Sequence, residues 1–194
     1  MKKARVAVFI SGTGSNMLAL IEAARTPDCP YEVVCVLSNK PGAPGLSHAR
    51  ALGVEAVAVD QTPFGKNREA HERAIHTELG IRDIAWIALA GYMRLLSPWF
   101  VGQWQGRLIN IHPSLLPKYP GLDTHRRALE AGDTEAGCTV HHVVAEMDAG
   151  PIIDQARVPV LEDDTPEALA ARVLKAEHAL YPAALARAIL SATR

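Results

Sequence analysis

The chain of 194 residues has almost no net charge, 20 basic against 21 acidic side chains, so it has no overall field with which to hold a polyanion. Nucleic acid is therefore not expected as a partner. The three tryptophans, Trp86, Trp99 and Trp104, do not interleave with basic residues in a stacking stripe either. Cysteine is scarce. Cys29, Cys35 and Cys138 are odd in number and lack CxxC spacing or a Cys/His cluster, which excludes a disulfide framework or structural zinc site and fits a reducing compartment. No run approaches the roughly 18 apolar residues of a membrane span. The opening Met1-Lys2-Lys3-Ala4-Arg5 leads straight into a strand-like segment with no export signal. Cytoplasmic location, away from membranes, is the expectation. Repeats, low-complexity tracts and linkers are also missing. At this length folding buries roughly 70% of the unfolded surface, enough for a core without metal or disulfide staples, so one domain over 1–194 is expected.

What is present is a rhythm. β-branched apolar runs at Ala4 to Ser11, Tyr31 to Ser38, Glu55 to Val59, Ile84 to Leu89 and Leu108 to Ile111 alternate with helix-period segments at Asn16 to Ala24, Leu46 to Ala51, Asn67 to Leu79 and Ser97 to Trp104. Such alternation predicts an α/β fold with a doubly wound, mostly parallel sheet and helices on both faces. After Asn110 the pattern changes to a Pro-rich loop through Gly121, a helix near His125 to Ala131, and strands at Cys138 to Val144 and Pro151 to Val160. These last two are expected to pair antiparallel. A long final helix starts at Thr165-Pro166, with a bend expected at Tyr181-Pro182, where the proline ring removes a backbone donor.

The first chemical signal is Ser11-Gly-Thr-Gly-Ser-Asn16 between the first strand and first helix, where glycines let backbone amides converge on an anion at a helix N-terminus. As a dinucleotide fingerprint it is incomplete. Met17 replaces the third glycine, and the second strand ends at Ser38-Asn39 where an acid belongs. The loop alone is equally compatible with a phosphate cradle and with a structural turn. The second signal is Leu108-Ile-Asn-Ile-His-Pro-Ser-Leu-Leu-Pro-Lys-Tyr-Pro-Gly121. Its strand delivers Asn110 and His112 to the carboxyl end, where open α/β sheets bind ligands. Residues two apart on a strand share a face, so an amide donor and an imidazole project together, a pair suited to a developing oxyanion. A lone histidine is more often a satisfied side chain, and the whole string has to carry the reading.

With Asn110-x-His112, the following Pro-Ser-Leu-Leu-Pro and the later Asp148, the sequence resembles the folate-dependent formyltransferases. Within that family the strings Ser11 to Asn16, Gly91-Tyr-Met-Arg-Leu-Leu-Ser-Pro98, Lys118-Tyr-Pro-Gly121, Glu146-Met-Asp-Ala-Gly-Pro151 and Glu177-His-Ala-Leu-Tyr-Pro182 resemble the branch that acts on glycinamide ribonucleotide. The resemblance covers nearly the whole chain. It implies transfer of the formyl group of 10-formyltetrahydrofolate, a co-substrate, to the ribonucleotide's amine in de novo purine synthesis, with no metal. Residue by residue, it implies Asn110, His112 and Asp148 as the catalytic trio, Gly14, Ser15 and Asn16 at the substrate phosphate, and Glu177 as a substrate-side acid. It implies folate contacts from Arg68, Met93, Arg94, Leu95, Leu96, Asn110 and the strand residue His141, whose neighbour His142 should face the other way. Without the resemblance, Leu95 and Leu96 read as core. Asp123 departs from the pattern, standing where some members carry His. Oligomeric state stays open.

The implied chemistry has three tasks. Donors must meet the oxyanion, for which Asn110 and protonated His112 are candidates. A carboxylate must orient the charged imidazole, the role expected of Asp148. A proton must pass from amine to leaving nitrogen, through His112 or a water held by Asp148. Metal chemistry is the weaker reading: His71 and His76 are five apart, about 140° round a helix, against the four-residue spacing of a zinc helix, and His112, His141 and Asp148 as a facial set would duplicate roles already filled. Enzymes formylating methionyl-tRNA or a sugar nucleotide, or hydrolysing the folate, share the trio. A non-catalytic folate-binding module and a nicotinamide dehydrogenase are the rivals from other classes.

Overall fold

The structure, a computed structural model, describes residues 2–192. Strands β1 (Ala4–Ile10), β2 (Tyr31–Ser38), β3 (Glu55–Ala58), β4 (Trp86–Leu89), β5 (Leu108–His112), β6 (Glu135–His142) and β7 (Ile152–Pro159) form one sheet in the order β3-β2-β1-β4-β5-β6-β7. The first five in that order are parallel, β6 adds antiparallel to β5, and β7 antiparallel to β6. Helices α1 (Ser15–Ala24), α2 (Pro44–Ala51), α3 (Arg68–Ile81), α4 (Pro98–Gln103), α5 (Thr124–Glu130) and α6 (Pro166–Ala192) connect or cover the strands.

Alternation along β1 decides which helices lie where. Val6, Val8 and Ile10 enter a core with Met17 and Leu20 of α1, Leu46 of α2, and Val173, Tyr181 and Leu185 of α6. Ala7 and Phe9 point the other way, into a second core with Ile75 and Leu79 of α3 and Phe100 and Trp104 around α4. Both faces are buried, which is why the parallel strands read as unbroken apolar runs. The helix starts follow local chemistry as well. Ser97 accepts a hydrogen bond from the Phe100 amide ahead of Pro98, and Asn67 does the same for Ala70 at the head of α3.

The start of β6 differs from the sequence expectation. β6 begins at Glu135, three residues before Cys138, because Glu135-Ala-Gly137 offers no apolar run yet pairs fully with β7. A Cβ on Gly137 would stand 2.0 Å from the Ala156 carbonyl, so only glycine admits that approach. α6 runs as one helix through Pro182. The ring costs a backbone bond, but Tyr181, Ala184, Leu185, Ala188 and Ile189 on either side of it are buried, and the Tyr181 hydroxyl donates to the carbonyls of Leu89 (2.8 Å) and Ile109 (3.3 Å). Burial on that scale outweighs one lost bond.

Candidate active site

At the carboxyl end of β5, Ile109 and Ile111 point into the α1/α6 core while Asn110 and His112 share the other face. The antiparallel register sets Asn110 opposite His141 and His112 opposite Thr139, and pairs His142 with Ile109, hence on the reverse face. Sequence alternation and sheet register thus bring Asn110, His112 and His141 to one place. Asp148 comes from the loop between β6 and β7, its backbone in the left-handed region (φ 53°) that Asp tolerates better than most residues.

Donors and acceptors in this cluster can be assigned because carbonyls only accept. His141 Nδ1–H donates to the His142 carbonyl at 2.9 Å, leaving Nε2 to accept from the Asn110 side-chain amide at 3.3 Å. Burial, the largest influence, pulls the His141 pKa below its ordinary value, against the opposing pull of that carbonyl and of Asp148. A neutral ring fits both bonds. His112 Nε2–H donates to the Tyr119 carbonyl at 2.9 Å, which turns Nδ1 toward Asp148 Oδ2 at 3.5 Å. A proton on Nδ1 makes that approach an ion pair. The same carboxylate oxygen accepts from the Gly121 amide at 2.9 Å, and Oδ1 lies 3.7 Å from His141 Nε2. The side chains of His112, His141 and Asp148 are only 7%, 2% and 10% exposed, so a charge here is poorly screened and acts strongly on its neighbours.

The Pro-rich loop serves as a brace. Ser114 Oγ donates to the Lys118 carbonyl (2.6 Å), and the Tyr119 hydroxyl and Lys118 ammonium both reach Asp133. These contacts hold the Tyr119 carbonyl where His112 needs it. Thr139, opposite His112, ties the loop to the sheet through the Ser114 carbonyl and Leu116 amide.

The Ser11 to Asn16 loop leaves β1 at the same edge. Gly14 adopts φ 74° as the N-cap of α1, with no side-chain cap bond, so the first amides of the helix have no capping side chain and are oriented as an anion site requires. Asn16 Nδ2 donates to Glu177 Oε2 at 2.6 Å, while Asn16 Oδ1 is buried with no protein partner. Burial raises the Glu177 pKa, opposed by the Asn16 bond.

The Gly91 to Leu96 segment follows β4. Met93 and Leu95 are exposed, and Leu96 packs on the α3/α4 core, so the core reading holds for Leu96 and fails for Leu95. Arg68 reaches the Leu95 carbonyl at 3.4 Å. The Arg94 guanidinium is engaged by Gln61 Oε1 and the Gly65 carbonyl, so the segment presents backbone and apolar groups to the cleft. His71 lies buried with Nε2 donating to the Val59 carbonyl, and His76 packs on Trp99 and Trp104. Both serve packing. Asp123, the departure noted above, ion-pairs with Arg126 at the surface and caps α5 in a left-handed conformation. Sequence reasoning missed the Tyr119 carbonyl, the Gly121 amide and the Glu72 carboxylate, which is fully buried on Ser97. The Lys118 to Gly121 string marks the segment of the first two but not their backbone roles, and no local signal marks Glu72.

An amide, two imidazoles and a carboxylate converge at the end of a parallel strand, on the same edge of the sheet as the uncapped α1 N-terminus, a set of donors and acid–base groups of the kind that group-transfer enzymes use. A family model described as formyl transferase matches residues 4–185. The chain is 49% identical over 177 residues to the phosphoribosylglycinamide formyltransferase of Escherichia coli K12, covering 91% of this chain and 83% of that one. It is also 49% identical over 187 residues to the trifunctional purine biosynthetic protein adenosine-3 of Drosophila melanogaster, of whose length it spans 14%. The solved phosphoribosylglycinamide formyltransferase from Brucella melitensis superposes with a TM-score of 0.93 at 55% identity, over 97% of this chain and 96% of that one. The chain belongs to the formyl transferase family.

Proposed function

We propose that the whole chain works as one domain that transfers the formyl group of 10-formyltetrahydrofolate to the amine of glycinamide ribonucleotide, giving formylglycinamide ribonucleotide and tetrahydrofolate in de novo purine synthesis. The observation that carries this is the juxtaposition of Asn110, His112 and Asp148 with the open α1 terminus and Glu177. One end suits a phosphate, the other a developing oxyanion. The relatives named for this reaction support it. Three free thiols fit a cytoplasmic setting. Among the described residues no helix is long and apolar enough to cross a membrane.

The amine nitrogen attacks the formyl carbon, and the carbonyl electrons move onto oxygen. Asn110 donates to that oxyanion, a contribution of about 10² to 10³ in rate, and the protonated His112 ring, its N–H groups directed to Tyr119 and Asp148, stabilises it by charge. Asp148, fixed by the Gly121 amide, holds the imidazolium. The tetrahedral intermediate collapses as the bond to the folate nitrogen breaks, and the proton leaving the amine reaches that nitrogen through His112 or a water on Asp148. The amides of Gly14, Ser15 and Asn16 anchor the phosphate and Glu177 the ribose side, while Arg68, Met93, Arg94, Leu95, Leu96 and His141 flank the folate. Holding both substrates in register contributes about 7 to 11 kcal/mol at most.

The test is a spectrophotometric assay with glycinamide ribonucleotide and 10-formyltetrahydrofolate, beside methionyl-tRNA, an amino-sugar nucleotide and water as acceptors. Turnover with the ribonucleotide alone, lost in Asn110→Ala and Asp148→Ala, is expected. Turnover only with another acceptor overturns the substrate, and folate binding without turnover overturns the enzyme reading.

A further inference from the structure

Ser11 and Asn39 belong to no step of the transfer, yet both are buried polar residues at the edge of the cleft, at 7% and 1% exposure. Ser11 grips the 91–93 turn twice. Its amide donates to the Gly91 carbonyl (3.2 Å), and its hydroxyl accepts from the Met93 amide (2.8 Å). The hydroxyl proton goes to Asn39 Oδ1 at 2.6 Å. The Asn39 amide in turn donates to Gln61 Oε1 at 2.8 Å, which also accepts from the Arg94 guanidinium at 3.0 Å. Since Arg94 adjoins Met93, the contacts close into a ring through four segments, the ends of β1 and β2, the exit of β3 and the turn after β4.

Each member restricts the next. The Ser11 hydroxyl has a single proton, committed to Asn39, so its lone pairs face the Met93 amide. Asn39 has its carbonyl toward Ser11 and its amide toward Gln61, which excludes the flipped rotamer. The ring occupies the place where a dinucleotide-binding sheet sets an acid for ribose. Here the Ser38-Asn39 end of β2 is turned inward and satisfied by protein, leaving no such ribose contact.

The substrate-side loop does not depend on the ring. Gly45 amide to Gly12 carbonyl (3.0 Å), Leu18 amide to Gly14 carbonyl (3.0 Å) and His48 Nδ1 to Thr13 carbonyl (3.2 Å) hold it by other routes. We propose that Ser11 and Asn39 are positioning residues that set the Met93 to Leu96 segment for the folate without setting the phosphate loop. The inference rests on the function proposed above for the role of that segment, and it predicts an asymmetric defect.

The experiment is steady-state kinetics of Ser11→Ala, Asn39→Ala and the double variant, with Gln61→Ala as the mildest break, alongside calorimetric binding of 5-formyltetrahydrofolate to each. Ser11→Ala is expected to raise the KM for 10-formyltetrahydrofolate about tenfold, by loss of two bonds and release of the half-buried Met93 amide. The KM for the ribonucleotide and kcat should stay within about threefold. The double variant should resemble the worse single one, because members of one network are not additive. Gln61→Ala, at the half-buried rim, should show the same asymmetry at about threefold, and decides the matter if the inner variants fail to fold. Equal changes in both KM values, additive effects, or an unchanged folate KM overturn the inference. Should the wild type bind 5-formyltetrahydrofolate but not turn over the ribonucleotide, the substrate reading fails alone. A roughly tenfold weaker folate affinity in Ser11→Ala would then still uphold the ring.

Discussion

The two ends of the cleft are built on different principles. The Gly12 to Gly14 stretch at the centre of the first loop is held mainly by backbone: Gly14 sits in the left-handed region at no steric cost, and the contacts to Gly45 and Leu18 run between main-chain groups, with the His48 imidazole added at Thr13. The Asp148 loop is held by side chains. Asp148 is itself left-handed without being glycine, its flanks Met147 and Ala149 are exposed, and its anchors are one amide from Gly121 and the His112 imidazole. A backbone site tolerates change in most of its side chains and recognises an anion of simple shape. A side-chain site concentrates its function in a few atoms and is broken by the loss of one.

The sharpest way to break this contrast is Asp148→Asn, which keeps the size, the left-handed preference and an acceptor for Gly121 while removing the charge. Turnover should drop about 10³-fold with KM values little changed, since orientation of the imidazolium and the proton route are lost together. Single-turnover kinetics would check it, and a loss under tenfold would mean the carboxylate only shapes the loop. Asn110→Ala comes next, with about 10² in kcat, as one oxyanion donor goes and the His141 ring loses its partner. At the opposite end, Gly14→Ala should act on binding. A Cβ there would lie 3.1 Å from the flexible Met17 terminus, at φ 74°, so strain of about 1 to 2 kcal/mol tilts the first amides of α1. The KM for the ribonucleotide should rise about tenfold with kcat near wild type. A kcat effect as large as that of Asn110→Ala would erase the distinction between the two ends.

The same contrast governs how much the sequence revealed. The parallel strands were legible because burial on both faces demands apolar runs such as Val6 to Ile10, and the antiparallel pairing of the last two strands was legible from the change of rhythm after Asn110. Asn110 and His112 could be placed on one face by their spacing alone. Bringing Asp148 to them required the family resemblance, since 35 residues lie between His112 and Asp148, with Tyr119 and Asp123 among them in left-handed backbone. The brace around Tyr119 and the ring through Ser11, Asn39 and Gln61 had no local signature, because each bond joins segments distant in sequence and hydrogen-bond partners leave no periodicity. The long final helix was legible as well, and it continues through Pro182 with buried residues on either side of the ring.

The smallest expected effect concerns pH, and it separates buried imidazoles that serve packing from those at the cleft. Burial depresses the pKa of His71 and of His141 below 6.5, so the folded protein binds fewer protons than the unfolded chain just below that pH. Their contribution to stability is fully present above about 6.5, the unfolded value, and is lost as pH falls through the lower folded values. Glu177 works in the opposite sense. Its raised pKa means that stability falls as pH rises from about 4.5, the unfolded value, through the folded one, so acidification restores part of what the histidines lose. A variant isolates the term. His71→Gln keeps a donor for the Val59 carbonyl and cannot titrate. Between pH 6.5 and 5 the wild-type Tm should fall further than that of the variant. Because His71 lies away from the transfer centre, the kcat profile of the variant should overlay that of the wild type. Parallel melting curves would show that His71 is no more depressed in the fold than in the unfolded chain, and a displaced kcat profile would place its influence inside the cleft.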